Sequence, residues 1–282
     1  MRFLLTGFLY CLVSLCVLAT DLRDPNLNTA KRPVFNQFAK GQWFFYWGYN
    51  RGYYSASDIH FKGNDYDFTL KQVKANDRQS KLAADPYLRI DQITIPQYNY
   101  RLGFCLTDKY AVSFGFDHMK YVMNQNQIVK MTGYIHDKSS IYQGEFNDQS
   151  VVLSGNFLEF EHTDGLNYLN AEITRTDGLF AFNQHFQFNM ISGLGAGFMY
   201  PRTRCVLMNK NLNDQWHVSG YGLSCNLGIN LSLGKHFYLQ SAAKMGWINM
   251  PNIVVSCFKA DRASQHFSFL QTQILLGYRF RL

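Results

Sequence analysis

The stretch Ser268–Leu282 reads SFLQTQILLGYRFRL and alternates. Its even positions are Ser268, Leu270, Thr272, Ile274, Leu276, Tyr278, Phe280 and Leu282; its odd positions are Phe269, Gln271, Gln273, Leu275, Gly277, Arg279 and Arg281. A period of two is the period of a strand. One face is mostly apolar and ends in rings, while the other is more polar and ends in charge. A strand that crosses a bilayer in a barrel wall needs this pattern, lipid outside and lumen inside. A barrel's last strand can end where its wall ends, so this stretch is expected to close the barrel.

The same pattern recurs upstream. In Gly41–Tyr54, Trp43, Phe45, Trp47, Tyr49 and Tyr53 share one face. Gln97–Leu106 sets Tyr98, Tyr100, Leu102 and Phe104 against Asn99, Arg101, Gly103 and Cys105, and after a turn Tyr110–Asp117 alternates again. Leu158–Thr176, Phe186–Tyr200, His217–Leu231 and Phe237–Asn249 complete the set. Short turns near Asp108, Gln184 and Lys235 alternate with long polar stretches at Asn124–Ser150, Arg202–Trp216 and Pro251–Gln265, read as outer loops, the first with a hairpin arm at Ile128–Ile135. Unequal ends of this kind belong to membrane barrels. The predicted fold is all-β, a transmembrane up-and-down antiparallel barrel of eight strands. Tyr54–Gln92 is ambiguous: its strand at Tyr66–Val73 belongs to a hairpin above the wall, or adds a pair to make ten. Small inward residues favour a narrow barrel of about eight strands, filled by side chains.

Composition fits this reading. Of the 282 residues, 16% are aromatic and 17% charged, the latter low against about a quarter in soluble proteins. Met1–Ala19 has a basic Arg2 and an apolar run, the form of a secretory signal peptide, with cleavage expected after Ala19. Residues 20–40 read as a periplasmic lead-in and 41–282 as the barrel domain. The formal charge of +7 falls to +6 without Arg2. The basic residues are dispersed, which excludes a nucleic-acid partner and suits lipid phosphates better. Lys120, Lys130, Arg202, Arg204 and Lys210 fall near the outer rim and are the candidates for such contacts. The expected partners are outer-membrane lipid and lipopolysaccharide, with the barrel-assembly machinery during insertion. The chain is expected to be monomeric and to need no cofactor.

Sequence blocks at residues 47–53 (WGYNRGY), 57–63 (SDIHFKG), 65–70 (DYDFTL) and 160–168 (FEHTDGLNY) resemble a group of uncharacterised bacterial outer-membrane β-barrel proteins. The resemblance covers most of the mature chain. It implies the fold and an outer-membrane location, and it implies no activity.

Five constellations carry candidate chemistry. His266 and Ser268 have the i, i+2 spacing of outer-membrane lipid A acyl hydrolases, which places a base beside a nucleophile on one strand face. The acidic residue that would orient the His is absent, so rim decoration is the ordinary reading. Asp58, His60, Asp65 and Asp67 supply oxygen and imidazole donors for a cation, but no metal-site spacing is matched. Glu161, His162, Thr163 and Asp164 invite an acid–base reading, against which polar rim residues are the plainer one. Arg101, Asp117, Glu172, Lys244 and Arg279 (with Arg281) project inward and are expected to pair inside the lumen. Cys205 and Cys257 both fall in outer loops, where a disulfide is feasible. The functional expectation is an outer-membrane barrel with a structural or binding role at the cell surface. The alternatives are a lipid A-modifying hydrolase and a small-solute pore.

Overall fold

In the computed structural model, residues 38–182, 185–213, 215–256 and 258–282 are described. The expected leader 1–19 and all but the end of the expected lead-in 20–40 lie outside them. In chain order the strands are β1 (Trp43–Tyr54), β2 (Ser57–Lys62), β3 (Tyr66–Val73), β4 (Ala75–Asn76), β5 (Tyr98–Cys105), β6 (Tyr110–Met123), β7 (Ile128–Ile135), β8 (Gly144–Val152), β9 (Leu158–Ala181), β10 (Phe186–Met199), β11 (Arg204–Leu207), β12 (Lys210–Asn213), β13 (Gly220–Leu233), β14 (Phe237–Val254) and β15 (Arg262–Phe280). Among the described residues no helix is long and apolar enough to cross a membrane.

Eight of these strands close a ring in the order β1, β5, β6, β9, β10, β13, β14, β15. The seam pairs β1 with β15 antiparallel, from Trp43 opposite Phe280 to Tyr54 opposite Phe269. Closure leaves no open edge in the lipid-facing wall, the condition for crossing a bilayer with strands. Parity follows the sequence. On β15, Gln271, Gln273, Leu275 and Arg279 are buried inside, while Ile274, Leu276 and Tyr278 are exposed outside. Short turns join the ring strands at one end. At the β5–β6 turn the Thr107 hydroxyl accepts the N–H groups of Lys109 (3.2 Å) and Tyr110 (2.9 Å). At the β13–β14 turn Gly234 takes φ +67°, a conformation that glycine adopts without steric cost.

At the other end the wall continues beyond the bilayer and becomes a different object. One arm carries the tops of β14 and β15 on through β2, β3, β7 and β8. The other carries the tops of β6 and β9 with β4, β11 and β12. The arms face one another across an apolar core. Phe61 meets Phe160 edge-on at 5.5 Å, Tyr121 lies 5.1 Å from Phe267, and Phe68 lies 6.1 Å from Phe157. The chemistry of the two faces is thus inverted along a single strand. Within the bilayer β15 turns Gln271 and Gln273 inward; above it, the same parity turns Phe267 and Phe269 inward and His266 outward. Bulges mark the transition. The β6–β9 register shifts between Met119 and Tyr121, near Gly165 at φ +140°, and the β14–β15 register shifts between Met250 and Ile253, around Pro251. A proline without an N–H is tolerated at such a break in the ladder.

This head decides the ambiguous stretch in favour of eight wall strands and revises the loop readings. Tyr66–Val73 belongs to the β2–β3 hairpin above the wall, not to a further wall pair. Asn124–Ser150 carries the expected hairpin arm as β7, at Ile128–Ile135, and continues into most of β8, so less of it is loop than its polarity suggested. Arg202–Trp216 contains the β11–β12 hairpin, and Pro251–Gln265 contains the end of β14 and the start of β15. These stretches lack the lipid-facing pattern because they bury their apolar side inward and turn polar groups to water.

Candidate functional site: the lumen and the outer rim

Four wall strands deliver one charge each to the middle of the lumen: Arg101 from β5, Asp117 from β6, Glu172 from β9 and Lys244 from β14. All four side chains are buried. The Lys244 ammonium lies 2.5 Å from Asp117 Oδ2 and 2.7 Å from Glu172 Oε1, and Arg101 Nη2 lies 3.0 Å from Glu172 Oε1. The two positive and two negative charges cancel. Neutral groups saturate much of what remains. Arg101 Nε donates to Tyr46 Oη at 2.8 Å and Arg101 Nη2 to Asn170 Oδ1 at 2.6 Å. Asn170 donates to Asp117 at 2.9 Å, Asn226 donates to Glu172 at 2.8 Å, and Asn99 donates to Asp117. Ions out of water persist when paired and hydrogen-bonded in this way.

Below this cluster, toward the short turns, the lumen is aromatic. Phe38 enters it and packs on Phe44 (6.3 Å) and Tyr238 (5.8 Å), with Leu275 and Cys105 in the same buried group. Arg279 lies here rather than among the four charges. Its guanidinium carbon is 4.7 Å from the Phe38 ring centre and 5.2 Å from that of Tyr238. Between the two layers is a cavity of about 20 Å³, bordered by Tyr46, Arg101, Glu172, Asn226 and Gln273. That holds a water molecule or two and no solute. Above the cluster the apolar core of the head fills the bore.

The rim candidates are distributed differently. The Lys120 ammonium donates to the Ile95 carbonyl at 2.8 Å. Lys130 stands 3.7 Å from Asp148, Arg202 3.1 Å from Asp164, and Arg204 3.4 Å from Glu159; Lys210 pairs with Asp137. Each of the five is therefore engaged within the chain. His266 and Ser268 share the outer face of β15; the Ser268 N–H donates to Ser55 Oγ at 3.0 Å, and the His266 ring neighbours Trp247. Asp58, His60, Asp65 and Asp67 do not converge. Asp58 accepts from Lys71 at 2.9 Å, His60 Nε2 meets Asp67 at 2.7 Å, and Asp65 uses its backbone carbonyl to accept the His136 N–H. Among the described residues no group of three metal-ligating side chains forms. Cys205 is buried in the head core on β11, and Cys257 lies outside the described residues.

His162 departs from the rim reading. It is fully buried in the head against Tyr121 and Phe160, with Nδ1 2.9 Å from Thr203 Oγ1 and Nε2 3.2 Å from Gln265 Nε2. Burial, assisted by the charge of His217, pushes its pKa down to about 3, so the ring is neutral. Glu161 turns the other way and binds Arg78 at 2.8 Å, while Thr163 donates to it at 3.1 Å. Neither Phe38 nor His162 was identifiable as an interior residue from its neighbours. Phe38 precedes the first strand, and His162 sits in a run of polar residues.

No protein-family model matches the chain, and no curated protein does. Among solved structures it is similar to the outer membrane protein OprG from Pseudomonas aeruginosa, at 12% identity over 87% of this chain and 99% of that one, with a TM-score of 0.38. It is also similar to Ail, the attachment invasion locus protein of Yersinia pestis, at 11% identity over 86% and 100%, TM-score 0.30. Neisserial surface protein A follows at 10% identity over 82% and 96%, TM-score 0.28. The reading of this chain as a membrane-spanning barrel rests on its own closed ring and lipid-facing band.

Proposed function

We propose that the chain is a closed, non-conducting barrel of the outer membrane that holds a folded β head outside the bilayer, in a structural or binding role at the cell surface. The observation that carries this is the filled bore: head core, four paired charges and aromatic plug in succession. A pore needs a continuous water path, and a cavity with room for a water or two does not supply one. The head is placed outside because the short turns lie at the opposite end of the ring, the arrangement of outer-membrane barrels. Its outward polar faces and matched surface charges suit contact with water, lipopolysaccharide or a surface partner. Outer-membrane lipid around the wall, and the barrel-assembly machinery during insertion, are the other expected partners. The hydrolase alternative has little support, since no carboxylate is bonded to His266 among the described residues. The test is conductance of the purified chain in planar bilayers. Silence across applied voltage is expected; stepwise openings of a stable unitary size would sink the proposal.

A further inference from the structure

Residues 77–97 leave the head and return to the wall along its outside. They include a short helical turn, α1 (Ala84–Tyr87), and a 3₁₀ turn (Ile90–Gln92). The segment is pinned along its length. Asp77 Oδ2 accepts the Gly52 N–H at 2.8 Å, and Arg78 binds Glu161 at 2.8 Å. The Tyr87 carbonyl accepts from the Tyr49 hydroxyl at 2.6 Å, and the two rings meet edge-on at 4.7 Å. The Ile95 carbonyl accepts from Lys120 at 2.8 Å.

The level of the Tyr49 contact is fixed by the ring. Tyr49 is paired across the sheet with Tyr98 and with Ile274. Ile274 belongs to the lipid-facing band and is 65% exposed. Trp47, the next outward residue on β1, touches Tyr49 at 4.6 Å. The segment therefore reaches down to the aromatic upper edge of that band, where rings sit at the headgroup level. On it stand Leu82 and Leu88, 83% and 80% exposed, and Ile95, 50% exposed. The chain itself covers these three only in part, or hardly at all.

We infer that residues 81–96 are an interfacial strap, which lies along the headgroup–acyl boundary of the outer leaflet and inserts Leu82, Leu88 and Ile95 among the lipid chains. The occupant of this surface is lipid, because the strap is continuous with the lipid-facing wall it is bonded to. Charge does not drive the contact. Lys81 and Arg89 are balanced by Asp85 and Asp91, and Arg89 is bridged to both acids, at 3.3 Å and 2.6 Å. Apolar insertion is the remaining attraction, as for amphipathic segments that lie on a membrane. The strap thus fixes the depth and rotation of the barrel at one sector of its rim.

The inference rests on the membrane placement proposed above, and one experiment separates the two. The full chain is reconstituted in phosphatidylcholine vesicles and oxidised with hydroxyl radicals, with each residue's rate normalised to the urea-unfolded chain. Ile141, in the loop between β7 and β8 at the far tip of the head, is 86% exposed and serves as the water reference. Ile274 and Leu276 are the lipid references. Oxidation of Leu82 and Leu88 is expected to fall several-fold below that of Ile141, to match the lipid references, and to be unchanged by added salt. If Leu82 and Leu88 oxidise at the rate of Ile141 while Ile274 and Leu276 stay protected, the strap inference is wrong and the barrel placement stands. If Ile274 and Leu276 oxidise as well, both fail.

Discussion

Lys244 stands between Asp117 and Glu172, and its ammonium is what allows two carboxylates to share a dry lumen. Replacing it by methionine keeps much of the volume and leaves an excess negative charge. The expected loss is about 3–5 kcal/mol of stability, read from urea unfolding of the folded chain in detergent micelles. Lys244→Met combined with Asp117→Asn restores neutrality and is expected to recover part of that loss; additive losses would argue against a coupled network. His162 offers a pH test in the head. Its imidazole is held neutral down to about pH 3, whereas an unfolded histidine takes up a proton below about 6.5. Between these values the unfolded chain binds more protons, so stability is full above about 6.5 and falls as pH drops toward 3, by up to about 1.4 kcal/mol per pH unit. His162→Gln is expected to flatten that window in acid unfolding of the head; an unchanged slope would remove His162 as its source. The lumen charges were legible as inward residues from parity alone. Which of them meet was not, because pairing depends on how strands separated in sequence are brought together around the ring. Arg279 shows this: it points inward as read, yet lies against rings below the other four.

At the scale of elements, ring–glycine contacts fix the aromatic plug. A Cβ on Gly277 would fall 2.0 Å from the Tyr238 ring, and one on Gly103 would fall 2.1 Å from the Phe44 ring. Gly277→Ala is therefore expected to cost about 1–3 kcal/mol through overpacking, measured as a lower temperature for loss of the heat-modifiable gel band. Tyr238→Ala in the same chain should remove that added cost. The eight wall strands were readable because their outer side carries a continuous apolar face. Of the head strands, β3 and the arm at β7 were legible, but β8 was not: only Phe146 and Val151, of opposite parity across a register shift, pack on the core, and the rest of Gly144–Val152 faces water. A strand whose few apolar residues fall out of alternation looks like a polar loop. The same inversion explains Pro251–Gln265, where Ile253 and Ala263 turn inward in a stretch that otherwise reads as loop.

For the whole molecule, one closed sheet performs two tasks by reversing which face is apolar. In the bilayer it is a wall around paired charges and an aromatic plug; above the bilayer its strands fold over an apolar core. If the bore is closed as proposed, Lys244, whose side chain is 1% exposed, has no access to water from either end. Amine-reactive labelling of the native chain in vesicles, followed by residue-resolved mass spectrometry, tests this directly. Lys244 is expected to stay unmodified while Lys71 and Lys130 on the outer face of the head react readily. Modification of Lys244 at the rate of Lys130 would mean that the lumen is open, and would contradict that expectation.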